Sequence, residues 1–234
     1  MAEKDRGVLG ILGGMGPLAS AEFVRNLYEL NVTAKEQLMP RIILDSDPSF
    51  PDRTEAIVAG RHREMADFLQ NRLDGLAVGG AHRIVIACVT AHHFLDLIDP
   101  PIRSRVVSLV TTTVRELSAR PGRFLLLATE GTRRSRVFEH ASAWPSVASR
   151  VAWPTPGDQD TVHKLIYGIK SRTGDSDIVT VVDELRTRYG CTGLVLGCTE
   201  FHLYARPLMA RYGADNVVDP LWAIADSLTP AQVP

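Results

Sequence analysis

Apolar runs short enough to be strands alternate with segments of helical spacing along nearly the whole chain, and that order admits few folds. Val8 to Leu12 is an apolar run stopped by Gly13 and Gly14, a buried strand entering a tight turn. Pro17 suits the first turn of the helix that follows, and Ala19 to Leu30 keeps helical apolar spacing. Arg41 to Asp45 reads as a second strand. Thr54 to Leu73 reads as one helix, with Ile57, Met65, Phe68 and Leu69 at its apolar positions. Ile84 to Ala87 and Val106 to Val110 read as the third and fourth strands. The order then restarts with a strand at Arg123 to Ala128, followed by loop and helix through TEGTRRSRVFE. Helices at Gly157 to Lys170 and Asp177 to Tyr189, strands at Leu194 to Leu196 and Asn216 to Val218, and a closing helix at Leu221 to Leu228 complete it. This order predicts an α/β fold of mainly parallel sheets covered on both faces. No Pro/Gly/Ser linker or low-complexity tract divides the chain, so two similar halves packed closely are expected rather than two tethered domains.

Ligands of open parallel sheets bind beyond the carboxyl ends of the strands. Gly13-Gly14, Cys88, Thr129 and Cys198 all fall there, and two facing halves would line one cleft with them. The formal charge of −1 gives no basic footprint for nucleic acid and no polybasic membrane patch. No apolar run approaches the roughly 20 residues of a membrane helix. The start MAEKDRGVLGILGGMG breaks its apolar stretch with glycines, unlike a secretory signal. Three cysteines, an odd number, suggest no disulfide framework, and the expectation is a cytoplasmic protein with free thiols.

The thiols carry the strongest local signal. IVIACVTAHH (Ile84 to His93) and LVLGCTE (Leu194 to Glu200) each drive an apolar strand into a cysteine turn bearing threonine. One such cysteine would be a small core hydrophobe. Two at equivalent places in two half-chains point to function, and helix N-termini after the turns would favour thiolate over thiol, whose reference pKa is about 8.5. Cys191 precedes its strand and reads as structural. Cys88 with His92 and His93 could begin a metal site, but no third and fourth ligands follow at recognisable spacing. Nucleophilic Cys/His chemistry at Cys88 or Cys198 stays open on chemical grounds.

GMGPLA (Gly14 to Ala19), with Asp45 ending the next strand, imitates a dinucleotide-binding turn. Pro17 lies within it, and a glycine turn receiving a small carboxylate at a helix start fits better. Arg53, just beyond a strand end, is the natural bidentate partner for a substrate carboxylate. His62, His82, His140 and His163 form no pattern, and Arg133, Arg134 and Arg136 read as a solvated helix face.

GILGGMGP (Gly10 to Pro17), DPSFPDRTEAI (Asp47 to Ile57), CVTAH (Cys88 to His92), LLATEGTRRS (Leu126 to Ser135), LGCTEF (Leu196 to Phe201) and VVDP (Val217 to Pro220) follow one another in family order. Through them the chain resembles the cofactor-independent aspartate/glutamate racemase family, most closely its aspartate racemase branch. The resemblance implies two pseudo-symmetric three-layer α/β halves, residues 1–110 with 220–234 and residues 111–219, with the active site in the cleft between them, commonly in a homodimer. It implies racemisation of aspartate or a related acidic amino acid by 1,1-proton transfer, with no pyridoxal phosphate and no metal. Cys88 and Cys198 would be the acid/base pair. Met15 and Gly16 would sit at the substrate, and Thr90, Thr129, Thr132 and Thr199 would offer hydrogen bonds. Arg53 would hold the side-chain carboxylate, and Lys170, with Lys164 as the alternative, would supply the lysine many members add.

One residue departs from the pattern. The family's first cysteine motif usually reads Cys-Asn-Thr, and here the middle residue is Val89. Valine lacks the amide that helps hold the amino-acid head group, a contact worth roughly 1.5–3 kcal/mol. Two further readings therefore stand beside the racemase: a specialised member acting on a modified or non-amino acid by isomerisation, decarboxylation or nucleophilic cysteine chemistry, and a non-catalytic homologue that binds a small acid.

Overall fold

In the first sheet, strand β1 (Val8–Gly13) lies between β2 (Ile42–Ser46) and β3 (Ala81–Ile86), all parallel. The second sheet repeats the plan: β4 (Phe124–Leu127) lies between β5 (Val151–Ala152) and β6 (Gly193–Leu196), with β7 (Val217–Val218) beyond β6. The computed structural model describes residues 7–172 and 177–227. The reading of residues 1–6 and the Leu228 end of the closing helix lie outside them.

Helices α1 (Pro17–Leu30), α2 (Arg53–Val58), α3 (His62–Val78), α4 (Pro100–Arg103) and α5 (Leu109–Ala119) accompany the first sheet in sequence. Helices α6 (Glu130–Ser135), α7 (Pro156–Ser171), α8 (Ile178–Arg188), α9 (Ala205–Tyr212) and α10 (Pro220–Ser227) follow β4. The α/β class and parallel sheets agree with the sequence reading, which lacks the short β5, α4 and α9, and two of its expected elements are corrected. Val106 makes a single bridge to Ile84 and no strand follows. Two residues on, the Ser108 hydroxyl accepts from the Thr111 N–H (3.2 Å) and starts α5, a helix the sequence reading missed. The bridge occupies the sheet position that β7 holds in the second half. The helix expected over Thr54 to Leu73 is two helices, interrupted around Gly60, and Asp52 caps the first by accepting from the Thr54 and Glu55 N–H groups.

Side-chain alternation along the strands sorts the core into layers. Leu9 and Ile11 of β1, Val85 of β3, Phe124 and Leu126 of β4 and Val195 of β6 all point into one apolar layer shared by both sheets and completed by residues of α1, α5 and α10. The opposite parity of the first sheet, Leu12, Ile84 and Ile86, packs under α3. The opposite parity of the second, Leu125, Leu127, Leu194 and Leu196, packs under α7, α8 and α9. Among the described residues no helix is long and apolar enough to cross a membrane.

Candidate functional site

Both cysteine turns leave the carboxyl end of the strand next to the middle of their sheet. Cys88 follows β3 and leads into a 3₁₀ segment, Thr90–Leu97; Cys198 follows β6 and leads into another, Thr199–Tyr204. The turns reach across to each other's half. Thr199 Oγ1 donates to the Ala87 carbonyl (3.1 Å), the residue before Cys88. Thr90 Oγ1 lies 3.1 Å from Thr129 Oγ1 and 2.8 Å from Thr132 Oγ1, which are themselves 3.1 Å apart. In such a triangle each hydroxyl can donate to one neighbour and accept from the other. Thr129 also caps α6, accepting from the Thr132 N–H (3.1 Å). Gly131 lets α6 come close to α2, since a Cβ there would fall 2.6 Å from Thr54 Oγ1.

Arg53 opens α2 beside this triangle and is 8% exposed. Its Nη1 donates to the Pro51 carbonyl (2.9 Å) and its Nη2 to the Met15 carbonyl (3.1 Å). Its buried Nε has no hydrogen-bond partner among the described residues. Burial pulls the guanidinium pKa down, but attraction to Cys88, Asp52 and Glu200 more than reverses this and leaves it above the ordinary arginine value. Met15 and Gly16 stand between β1 and α1, and Met15 is buried. Gly16 has φ +150°, and a Cβ there would fall 2.5 Å from Glu200 Oε1.

Glu200, which the sequence reading passed over, is the main addition. It is 2% exposed, and its Oε2 accepts from Cys198 Sγ at 2.8 Å. Its Oε1 has no hydrogen-bond partner among the described residues, and Lys170 Nζ lies 3.8 Å away. Lys170 comes from the end of α7 and lies over the Tyr167 ring (4.6 Å to the centroid), whereas Lys164 is exposed. The expected preference for thiolate fails at Cys198. Burial, then the Glu200 carboxylate, push that thiol well above its ordinary range, with Lys170 opposing.

Other candidates fall away from the site. His92 cannot ligate a metal: its Nε2 accepts from the Leu109 N–H (3.0 Å), so Nδ1 carries the proton and donates to the Cys88 carbonyl (2.9 Å). His93 pairs with His62 instead (3.1 Å). Asp45 lies by Arg72 (3.7 Å). Arg134 pairs with Glu130 (2.7 Å), Arg136 with Glu139, and Arg133 donates to the Pro154 carbonyl (2.9 Å). Cys191 is buried just before the amino end of β6, and Cys198 follows the carboxyl end of that strand. Among the described residues no group of His, Cys, Asp or Glu is arranged to hold a metal ion. Val89 is 1% exposed, and its side chain sits in the apolar layer shared by the sheets.

Two further contacts were beyond the sequence. Tyr167 donates to Asp52 Oδ2 (2.9 Å), joining α7 to the N-cap of α2. His202, four residues after Cys198, bonds Asp219 Oδ2 through Nδ1 (2.6 Å) and meets Asn26 Nδ2 through Nε2 (3.0 Å). The Asn26 carbonyl oxygen accepts from Arg206 (2.9 Å), which fixes the amide and makes His202 Nε2 the acceptor. This ties the Cys198 turn to α1 and to the start of α10.

Residues 12–228 match the profile of the family described as Asp/Glu/Hydantoin racemase. Among solved structures, the chain is similar to the aspartate racemase of Picrophilus torridus, with 25% identity over 94% of this chain and 91% of that one and a TM-score of 0.78. An aspartate racemase homologue from Pyrococcus horikoshii shares the fold at 20% identity, over 94% and 96% of the two chains, with a TM-score of 0.64. The glutamate racemase of Campylobacter jejuni does so at 18% identity, over 94% and 84%, with a TM-score of 0.62.

Proposed function

Because the chain belongs to the Asp/Glu/Hydantoin racemase family, and so to the isomerases, we propose that it racemises an acidic amino acid, aspartate foremost, by proton transfer between Cys88 and Cys198 without pyridoxal phosphate. The observation that carries this reading is the pair of cysteine turns, each crossing to the other half through its threonine.

The two thiols have different surroundings, as opposite roles require. Cys88 lies close enough to the buried Arg53 guanidinium to help hold that side chain charged. Cys198 keeps its proton in the bond to Glu200. In this reading Cys88 takes the Cα proton from one face and Cys198 returns one to the other, and the roles swap for the reverse direction. A thiolate alone is too weak a base for that proton, so the site must stabilise the charge that develops on the substrate carboxylate. In this reading Lys170 supplies that stabilisation, the Thr90–Thr129–Thr132 hydroxyls bracing the turns around it, while Arg53 holds the side-chain carboxylate through its unpartnered Nε.

Incubation in D₂O with each enantiomer of aspartate and glutamate tests the proposal. Deuterium entry at Cα with inversion, abolished in Cys88→Ser and in Cys198→Ser, is expected. Exchange without inversion would leave a single working base and a different reaction. Val89, buried among apolar side chains where the family usually has asparagine, favours one second reading, an acid whose head group is modified.

The resemblance also supports a homodimer, which light scattering tests, and the division into residues 1–110 with 220–234 and 111–219. The free, buried cysteines accord with a reducing, cytoplasmic setting.

A further inference from the structure

We infer that Glu200 is the group that reads the ammonium of the substrate, and that it selects free α-amino acids against N-carbamoylated or ring-closed relatives. The inference rests on the racemase reading of the same site and names what that reading leaves open, the state of the substrate nitrogen.

One oxygen of Glu200 is unmet. Buried carboxylate oxygens are almost always hydrogen-bonded, because stripping one of water without replacement is costly. Glu200 Oε2 is satisfied by Cys198, while Oε1, equally buried, has only Lys170 at a distance too long for a hydrogen bond. Gly16 has no side chain, and a Cβ there would come within 2.5 Å of Oε1. The loop through Met15 and Gly16 therefore lies against this oxygen with a hydrogen in place of a methyl group.

A sulfur that exchanges a proton with Cα must approach to about 3–3.5 Å. The amino nitrogen is only about 1.5 Å from Cα. A carboxylate with one oxygen 2.8 Å from Cys198 Sγ therefore brings its other oxygen within reach of that nitrogen.

An acidic amino acid carries two carboxylates and one ammonium. Around the thiols stand two cations, Arg53 and Lys170, and one carboxylate with a vacant acceptor, Glu200. Asp52 is already committed, to the cap of α2 and to Tyr167. Val89 offers no polar group, since it is packed in the apolar layer. A carbamoylated or hydantoin nitrogen is uncharged and would offer Glu200 Oε1 no charge-assisted bond, leaving it with only the longer-range attraction of Lys170 at 3.8 Å.

Titration calorimetry of the full-length protein with D- and L-aspartate, succinate (aspartate without its amine) and N-carbamoylaspartate tests this. Aspartate should bind roughly ten- to a hundredfold more tightly than either of the others, the cost of losing one charge-assisted bond. In Glu200→Gln, which keeps the shape and removes the charge, the preference should collapse, with thermal melting used to check the fold. Succinate or N-carbamoylaspartate binding the wild type as tightly as aspartate would overturn the inference and leave the acidic-substrate reading standing. So would an undiminished preference in a folded Glu200→Gln. Binding of none of the ligands would remove the acidic-substrate reading itself and this inference with it. The wild-type comparison decides even where the variant does not fold.

Discussion

Cys198 hands its thiol proton to a hydrogen bond with Glu200 across 2.8 Å, with both side chains buried. The contact adds to burial in keeping this thiol protonated, and it leaves the second carboxylate oxygen for a ligand. It also separates the two cysteines chemically, since Cys88 stands beside a guanidinium and Cys198 beside a carboxylate.

Replacing that carboxylate should therefore move a titration. Glu200→Gln removes the negative charge that helps hold Cys198 above the ordinary thiol range, so its ionisation should shift to lower pH. Ultraviolet thiolate absorbance, followed against pH in a Cys88→Ser/Cys191→Ser background where Cys198 is the remaining thiol, reads the shift directly. An unmoved step would mean that burial alone sets this thiol.

His92 gives stability a pH dependence of known sign. Burial pulls its pKa to about 4, below the roughly 6.5 of an unfolded histidine. As pH falls the unfolded chain takes up this proton first, so its contribution is complete above about pH 6.5 and is lost on the way down to about 4. The loss amounts to roughly 3 kcal/mol by linkage. Urea midpoints across that window should fall less steeply for His92→Gln than for the wild type. Equal slopes would show that His92 is not held neutral.

Val89→Asn, which restores the usual family residue, should weaken the fold rather than improve the site. The side chain at this position points into the apolar layer, and an amide left there without partners costs about 1–3 kcal/mol. Denaturant unfolding measures the loss. Unchanged stability together with tighter aspartate binding would mean that position 89 faces the ligand.

Gly16→Ala joins two penalties at one atom, a backbone at φ +150° and a Cβ 2.5 Å from Glu200 Oε1. Strain of this kind costs on the order of 1–3 kcal/mol, and the displaced carboxylate should lower the rate of Cα exchange by about tenfold or more. Exchange at the wild-type rate would mean that Glu200 need not hold its position.

What the sequence made legible follows the range of each interaction. Strands β1 to β4, β6 and β7, the α1 helix after Pro17 and the two cysteine turns rest on local spacing and are where the pattern puts them, whereas the two-residue β5 is too short a run to read. The expected strand at Val106 to Val110 went astray because its β-branched residues favour extension, while Ser108, a capping residue, decides where α5 begins. Glu200 was illegible for another reason. An acid in a turn is ordinarily solvated, and only the folded chain brings Cys198, Lys170 and Gly16 around it. The bond from Tyr167 to Asp52 and the His202–Asp219–Asn26 chain join residues far apart in sequence, where no spacing rule applies.

The apolar layer common to the two sheets has a consequence for how the molecule comes apart. Phe124 and Leu126 of one half and Leu9 and Ile11 of the other bury themselves in the same interior. Prising the halves open would wet that interior on both sides, so neither can melt first and leave its neighbour intact. A single unfolding transition is the natural result, and a fragment cut to either half would inherit an open greasy face in place of a core.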